Sequence, residues 1–179
     1  MEEKIHIREH IALTPFEPGD KPNLVLYLND PVLYRNTLRI PSPYTDADAE
    51  QWLNTARENR ALYGQTYNWA IRHTEHGVIG GIGAFIRTGV DGHLDEIGYW
   101  LGEPFRGQGI ATDAVRVLCE RLFETRPALV RIEAKVHSDN PASVRVLEKA
   151  GFEQEGYARK HTIKDGELID VILMARVRD

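Results

Sequence analysis

The amino-acid sequence predicts an α/β protein (α+β mixed) built on a mixed sheet, and the order of its elements carries that prediction. Helical segments come first, followed by three strands, a helix, a strand, a helix and two closing strands. Strict alternation of strands and helices would favour a doubly wound parallel sheet. Here a meander of three strands precedes a strand–helix–strand unit, which favours a sheet that combines parallel and antiparallel neighbours.

The first half of the chain contains start signals for its elements. Alternating apolar residues in positions 4–16 predict an opening strand pair or one bent strand. Asp20 and Pro22 precede an apolar run and predict a short helix with Asp20 as its cap. Thr45 and Asp48 have capping-box spacing, which predicts a longer helix immediately after them. Three strand-like segments follow, with the sequences TYNWAIRH, GVIGGIGAFI and HLDEIGYWL.

The second half of the chain predicts two helices, one buried strand and a closing hairpin. A helix from about Gly109 to Glu124 presents one apolar face. The apolar segment LVRIEAKV predicts a buried strand. Asn140 is the predicted cap of a short helix that Gly151 ends. Asp165-Gly166 has the sequence of a tight turn between the last two strands.

Composition indicates an ordinary globular protein and excludes several classes of function. With 179 residues, 42% of them hydrophobic, the chain is predicted to form one domain over residues 1–179. A net charge of −5 argues against a nucleic-acid binder that relies on a basic face. The single cysteine, Cys119, excludes an internal disulfide and lies in an apolar helix pattern typical of a buried residue. Because no signal-peptide core or membrane-spanning run is found, we expect a cytoplasmic protein that does not bind membranes. We also expect it to be a monomer or a homodimer.

A glycine-rich turn, Arg106–Ala111, stands directly before a predicted helix and raises the question of phosphate binding. A P-loop would need Gly-Lys-Ser/Thr, whereas this sequence has Gly-Ile-Ala at 109–111. A dinucleotide fingerprint would need a third glycine or alanine, and Thr112 occupies that position. The pattern Arg/Gln-x-x-Gly-x-Gly/Ala does match the turn. Its small residues let backbone amides face a pyrophosphate at the start of the helix.

Two longer segments carry a resemblance to a known family: EIGYWLGEPFRGQGIATDAV and VHSDNPASVRVLEKAGFEQEG. They resemble the acetyl-CoA-binding half of the GNAT superfamily of acetyltransferases. More closely, the chain is similar to the Rim-type ribosomal-protein N-terminal acetyltransferases. The resemblance covers residues 5–176 and is sharpest over residues 96–156.

The resemblance implies a GNAT-like fold, a mixed and mostly antiparallel seven-stranded sheet with a splay between strands 4 and 5, flanked by about four helices. The segment HLDEIGYWL matches the fourth strand of that fold, and LVRIEAKV matches the fifth. The gap between them would admit the pantetheine arm of acetyl-CoA, the expected co-substrate. The implied cofactor-binding residues are Tyr99, Trp100, Leu101, Arg106, Gly107, Gln108, Gly109, Ile110, Ala111 and Asn140.

Acetyl transfer from a thioester to an amine requires deprotonation of the amine, stabilisation of an oxyanion and departure of a thiolate. No activated nucleophile is apparent, which favours direct transfer in a ternary complex. The resemblance implies Glu96 as the candidate base, and partial burial is expected to tune it for that task. An exposed or salt-bridged strand glutamate is the alternative. Asp95 should point to the opposite face and is the weaker choice.

Asn140 and Ser143 are the other candidate catalytic residues. In the family, the asparagine that matches Asn140 contacts the cofactor or orders the site, besides capping its helix. The serine that matches Ser143 is a candidate proton donor to the leaving thiolate in Rim-type relatives, and an ordinary helix serine is the alternative. Many family members have a tyrosine where this chain has Leu147, and this departure favours Ser143 as the donor.

Tyr34 and Tyr44 are candidate substrate-binding residues, because in relatives the segment matching Asn29–Thr45 covers the acceptor side. Ordinary core or surface aromatics are the alternative. The resemblance favours a peptide or protein N-terminal α-amine as acceptor. The alternatives are a small amine (a polyamine, an amino acid or an aminoglycoside) and a non-catalytic acyl-CoA-binding module. The seven histidines have no ligand spacing, so no metal is expected.

Overall fold

The computed structural model describes residues 3–178, which form eight strands and five α-helices. In chain order they are β1 (Ile5–Arg8), β2 (Ile11–Pro15), α1 (Lys21–Leu28), α2 (Pro31–Asn36), α3 (Asp46–Tyr63), β3 (Asn68–His73), β4 (Gly77–Phe85), β5 (Leu94–Leu101), α4 (Ile110–Thr125), β6 (Arg131–His137), α5 (Pro141–Lys149), β7 (Glu153–Lys164) and β8 (Glu167–Val177). Among these residues, no helix is both long and apolar enough to cross a bilayer.

The strands form one sheet in the order β1-β2-β3-β4-β5-β6-β8-β7. β5 and β6 are parallel, whereas the pairs β1–β2, β2–β3, β3–β4, β6–β8 and β7–β8 are antiparallel. The prediction of a mixed, mostly antiparallel sheet is therefore confirmed. Two counts differ from the expectation, because residues 3–178 form eight strands rather than seven and five α-helices rather than about four.

Local backbone conformation accounts for both differences. His10 adopts a left-handed φ of 64°, which lets the chain reverse, so the opening segment is the hairpin β1–β2 and not one bent strand. α2 is a separate helix because Asp30 caps it and accepts a hydrogen bond from the Val32 N–H at 2.7 Å. Pro31 occupies the first turn of α2, where its missing N–H costs nothing.

The described residues form two compact units, of which the first comprises the chain up to Gly83 together with Tyr99–Ala114. Its longest helix, α3, begins at the predicted capping box, where the Asp48 N–H donates to Thr45 Oγ1 at 3.3 Å. The helix ends at Gly64, which adopts a φ of 67°. The most deeply buried side chains of this unit include Leu13, Leu24, Trp69, Ile71, Val78 and Ile79.

Asp20 does not cap α1 in the way that the sequence predicts. Its side chain makes no cap hydrogen bond, and its carboxylate oxygens instead accept hydrogen bonds from Arg72 at 2.7 and 2.9 Å. Asp20 is only 5% exposed, and a carboxylate buried to this degree needs a charged partner. The tertiary ion pair therefore replaces the local cap.

The second unit comprises Ala84–Gly98 together with the chain from Val115 onward. Asn140 caps α5 as predicted, accepting a hydrogen bond at 3.2 Å from the backbone N–H three residues further on. The hairpin β7–β8 turns at Asp165-Gly166, where φ is 52° and 83°, and this also confirms the prediction. Burial raises the pKa of the Cys119 thiol to about 12, which agrees with a packing role. The most deeply buried side chains of this unit include Leu118, Leu129, Ile132, Leu147 and Met174.

The parallel ladder between β5 and β6 is short. It consists of the pairs Leu94–Arg131, Asp95–Ile132 and Glu96–Glu133. β5 continues to Leu101 and β6 to His137, with no further pairing between them among the described residues.

Asp95 is the buried charge of the second unit. Its side chain is 0% exposed, forms an ion pair with Arg126 and accepts a hydrogen bond from the Arg87 N–H at 3.1 Å. Side chains alternate along a strand, so Asp95 faces the core whereas its neighbour Glu96 lies on the other face, as predicted. Removing one partner of a buried ion pair leaves the other charge desolvated and unpaired.

We expect Asp95→Asn to lower the free energy of unfolding by about 3 kcal/mol, because it leaves the Arg126 guanidinium without its counter-charge. Urea denaturation followed by circular dichroism measures this change. Glu96→Gln is the matched control, since its partly exposed side chain should change stability by less than about 1 kcal/mol. An Asp95→Asn protein as stable as the wild type would contradict a structural role for the ion pair.

Candidate active site

The turn Arg106–Ala111, in the first unit, has the backbone conformation of an anion-binding loop. Gly107 and Gly109 adopt left-handed φ angles of 75° and 78°, which only glycine adopts at low cost. At Gly107 an added Cβ would meet no atom within 4 Å, so conformation rather than packing requires this glycine. Left-handed residues in a turn direct successive N–H groups toward one concave side. The first N–H groups of α4, which follows at once, have no partner within the helix and add to this donor surface.

The polar side chains of the turn are bound to protein groups outside it. Arg106 Nε donates to the Leu101 carbonyl at 2.9 Å, and the same guanidinium forms an ion pair with Asp30. Gln108 Nε2 donates to the Pro104 carbonyl at 3.0 Å. Arg106 therefore anchors the turn to the end of β5 and to Asp30. The turn offers backbone N–H groups rather than an arginine charge to an anion.

Asp30 connects two segments that lie far apart in the sequence. One carboxylate oxygen accepts the hydrogen bond that caps α2, and the other pairs with Arg106. The start of the segment considered for acceptor recognition is thus tied to the glycine turn within the same unit. An aspartate before a helix-starting proline is a recognisable cap signal. The pairing with Arg106, 76 residues away, has no signal in the sequence.

The end of β5, Tyr99–Leu101, lies against two glycines of β4. An added Cβ at Gly80 would lie 2.7 Å from the Trp100 carbonyl oxygen, and one at Gly81 would lie 2.6 Å from Trp100 Nε1. Both distances are shorter than a carbon atom tolerates, so the glycine pair is required for this close approach. These contacts fix the strand end whose backbone the resemblance implies as the partner of pantetheine.

Glu96, the candidate base, lies in the second unit among opposite charges. Its carboxylate accepts a hydrogen bond from Lys135 Nζ at 2.8 Å and lies 3.5 Å from the Arg87 guanidinium, and its side chain is 23% exposed. The expected partial burial is present, together with the salt bridge that was the alternative interpretation. Glu96 therefore lies within reach of two cationic side chains, Lys135 and Arg87. No sequence signal identifies Lys135, because it contacts Glu96 across 39 residues.

Asn140 and Ser143 are brought together by the cap of α5. The Asn140 side-chain oxygen accepts the hydrogen bond of the Ser143 N–H, and both residues are half-buried. Leu147, one turn further along the helix, is 0% exposed and belongs to the core. The position where many relatives have a tyrosine therefore contributes packing in this protein.

Tyr34 and Tyr44 differ in their surroundings. Tyr44 is 6% exposed. Its backbone N–H donates to Asn29 Oδ1 at 2.9 Å, and Asn29 Nδ2 donates to its carbonyl oxygen at 2.7 Å. Burial, with a smaller contribution from Asp48, raises the pKa of Tyr44 to about 12. Tyr44 therefore shapes its segment from the core side, whereas Tyr34 on α2 is half-buried and retains exposed surface.

Folding places two histidines and a glutamate together at the turn between β3 and β4. The potential ligand atoms of His73, Glu75 and His76 lie within 4.8 Å of one another. However, the Glu75 N–H donates to His73 Nδ1 at 3.1 Å, so one of the two ring nitrogens of His73 is already engaged by the backbone. Glu75 and His76 are also exposed, so this cluster provides no support for a metal site.

Known proteins are similar to this chain over most of its length. A family model described as "Acetyltransferase (GNAT) domain" matches residues 10–153. The uncharacterized N-acetyltransferase p20 of Bacillus licheniformis is 31% identical over 172 residues, which cover 95% of this chain and 94% of that protein. The ribosomal-protein-serine acetyltransferase of Escherichia coli is 37% identical over 84 residues, which cover 47% of this chain and 46% of that protein.

A solved structure shows the same fold. The ribosomal-protein-S5-alanine acetyltransferase from Vibrio fischeri superposes with a TM-score of 0.85 at 24% sequence identity, and the match covers 99% of this chain and 98% of that chain. At this level of identity the likeness establishes the arrangement of helices and strands.

Proposed function

The chain belongs to the GNAT family of N-acetyltransferases, which use acetyl-CoA as co-substrate, and from this premise we propose that it acetylates the N-terminal α-amine of a protein or peptide. The glycine turn at the start of α4 is the observation that carries the cofactor assignment. We assign the pyrophosphate of acetyl-CoA to the backbone N–H groups of Arg106–Ala111, where the dipole of α4 also favours an anion. The pantetheine arm is assigned to the backbone of Tyr99–Leu101, and Asn140 is assigned to the cofactor as well.

The proposed reaction is a direct transfer. The amine nitrogen attacks the thioester carbonyl, a C–N bond forms, and the tetrahedral intermediate collapses with cleavage of the C–S bond. Glu96 accepts the proton of the amine, directly or through a water, and Ser143 donates a proton to the departing CoA thiolate. An acyl-enzyme is disfavoured because Cys119, the single cysteine, is buried as a neutral thiol.

Two kinds of support favour an α-amine as acceptor. Relatives named for the acetylation of ribosomal proteins match this chain in sequence and in fold. An α-amine, with a pKa of about 7.7–8.0, is also easier to deprotonate at pH 7 than a lysine side chain with a pKa of about 10.4. A small polycationic amine is the second candidate, because the net charge of −5 attracts cations.

Glu96→Gln should lower kcat by about 100-fold or more and leave the Kd of acetyl-CoA nearly unchanged, because it keeps the shape and removes the base. A general base works only when deprotonated, so acidification should lower the wild-type rate. That acidic limb should be absent from the pH profile of the variant.

Glu133→Gln is the matched control for this measurement. Glu133 is paired with Glu96 in the ladder, and its side chain is similarly exposed, at 25% against 23%. This control should keep kcat within about threefold of the wild type. A Glu96→Gln enzyme with the wild-type rate and pH profile would rule out Glu96 as the base.

The acceptor class is tested by competition between amines at equal concentration, measured as kcat/KM. Short peptides with free N-termini should be preferred over a polyamine and an aminoglycoside by about tenfold or more, because their α-amine is the more readily deprotonated group. An N-terminally blocked peptide that contains lysine is the control and should remain unmodified. Preference for the polyamine or the aminoglycoside would overturn the peptide assignment and leave the acetyltransferase activity itself established.

The role of Tyr34 is tested in the same assay. Tyr34→Ala should lower kcat/KM for the peptide, because it removes an aromatic contact surface, whereas Tyr34→Phe keeps the ring and serves as the matched variant. Unchanged kcat/KM for every acceptor in Tyr34→Ala would remove Tyr34 from the proposed recognition surface.

A further inference from the structure

Arg8, at the end of β1, contacts the glycine turn from outside the motif. Its Nη1 donates to the Gln108 carbonyl at 2.9 Å, and its Nη2 forms an ion pair with Asp113 in the first turn of α4. The same Nη2 lies 3.4 Å from the position of a Cβ at Gly109. The guanidinium is therefore placed against the central glycine of the turn, about one hundred residues away in sequence.

Asp113 creates an electrostatic conflict at this position. A carboxylate in the first turn of a helix stabilises the helix, because it complements the positive end of the helix dipole. The same position is unfavourable beside a pyrophosphate, because like charges within a few ångströms repel one another. Asp113 is only 31% exposed, so solvent screens its charge incompletely.

Arg8 removes this conflict by neutralising the carboxylate. Its side chain is 34% exposed, and its second hydrogen bond, to the Gln108 carbonyl, holds the guanidinium on the turn. An ordinary structural salt bridge would have the same contacts. Beside a bound anion, however, the Arg8 charge would favour binding and the Asp113 charge would oppose it.

We infer that Arg8 is a positioning residue of the cofactor site, which offsets the Asp113 charge so that the turn binds the phosphates of CoA. This inference rests on the proposed assignment of the pyrophosphate to Arg106–Ala111. Arg8 acts on CoA binding through Asp113 and the turn, and it takes no part in the transfer step. Loss of Arg8 should therefore raise the KM for acetyl-CoA and leave kcat nearly unchanged.

The two charges are separated by single and double substitution, with CoA binding measured by calorimetry. Arg8→Met should weaken CoA binding by about tenfold, because Arg8 then no longer offsets the Asp113 charge beside the phosphates. Asp113→Asn should bind CoA at least as tightly as the wild type, because it leaves the Arg8 guanidinium beside the phosphates of CoA. The double variant Arg8→Met/Asp113→Asn should return to within about threefold of the wild type.

The sign of the Asp113→Asn effect distinguishes the inference from a structural role. A structural salt bridge predicts that either single substitution weakens binding and that the double variant is no better. Lys21→Met is the matched control, because it also removes one cation from an ion pair of the first unit, with Glu50, away from the turn. It should leave the Kd of CoA unchanged, and melting curves should show that every variant is folded.

Pantetheine, which lacks the pyrophosphate, separates this inference from the proposed function. The wild type should bind CoA much more tightly than pantetheine, and Arg8→Met should weaken CoA binding alone. A wild type without preference for CoA would overturn the assignment of the turn and the inference with it. If the wild type does prefer CoA, two results for Arg8→Met would overturn the inference alone. One is unchanged CoA affinity, and the other is an equal loss of affinity for CoA and pantetheine.

Discussion

The left-handed backbone at Gly107 and Gly109 is the constraint on which the proposed cofactor site depends. These φ angles turn the N–H groups of the loop toward one side and start α4 in the direction that places its positive dipole end beside them. The loop makes no use of its own arginine for anion binding, because Arg106 is engaged with Asp30 and with the Leu101 carbonyl. The proposed anion site of the first unit therefore consists of main-chain donors, and ion pairs hold the turn that carries them.

In the second unit, the two neighbouring acids of β5, Asp95 and Glu96, have different environments and different roles. Asp95 and Glu96 are neighbours in sequence, yet alternation along β5 buries the first with Arg126 and leaves the second partly exposed beside Lys135. A fully buried acid with a fixed partner stabilises the fold. A partly exposed acid can be reached by a substrate, which a general base requires.

Sequence predicts the parts of this structure whose causes are local. The caps of α3 and α5 follow from Thr45 and Asn140, and glycines mark the turns, because capping and φ restrictions act over a few residues. Prediction fails where a distant partner decides. Asp20 has the sequence context of a cap but pairs with an arginine 52 residues away, and the contacts of Arg8 and Lys135 span 105 and 39 residues. Such contacts leave no periodic or short-range pattern, so the candidate site was only partly predictable.

Calorimetry of CoA binding to a Gly109→Glu variant tests whether the turn Arg106–Ala111 holds the pyrophosphate of CoA. The substitution places bulk and a negative charge where the turn should hold the pyrophosphate, so CoA affinity should fall by about tenfold or more in the folded protein. Gly64→Glu is the matched control, because Gly64 has a similar φ of 67°, open space at its Cβ position and a location at the end of α3. The control should bind CoA like the wild type. Unchanged CoA affinity in a folded Gly109→Glu protein would contradict this role of the turn.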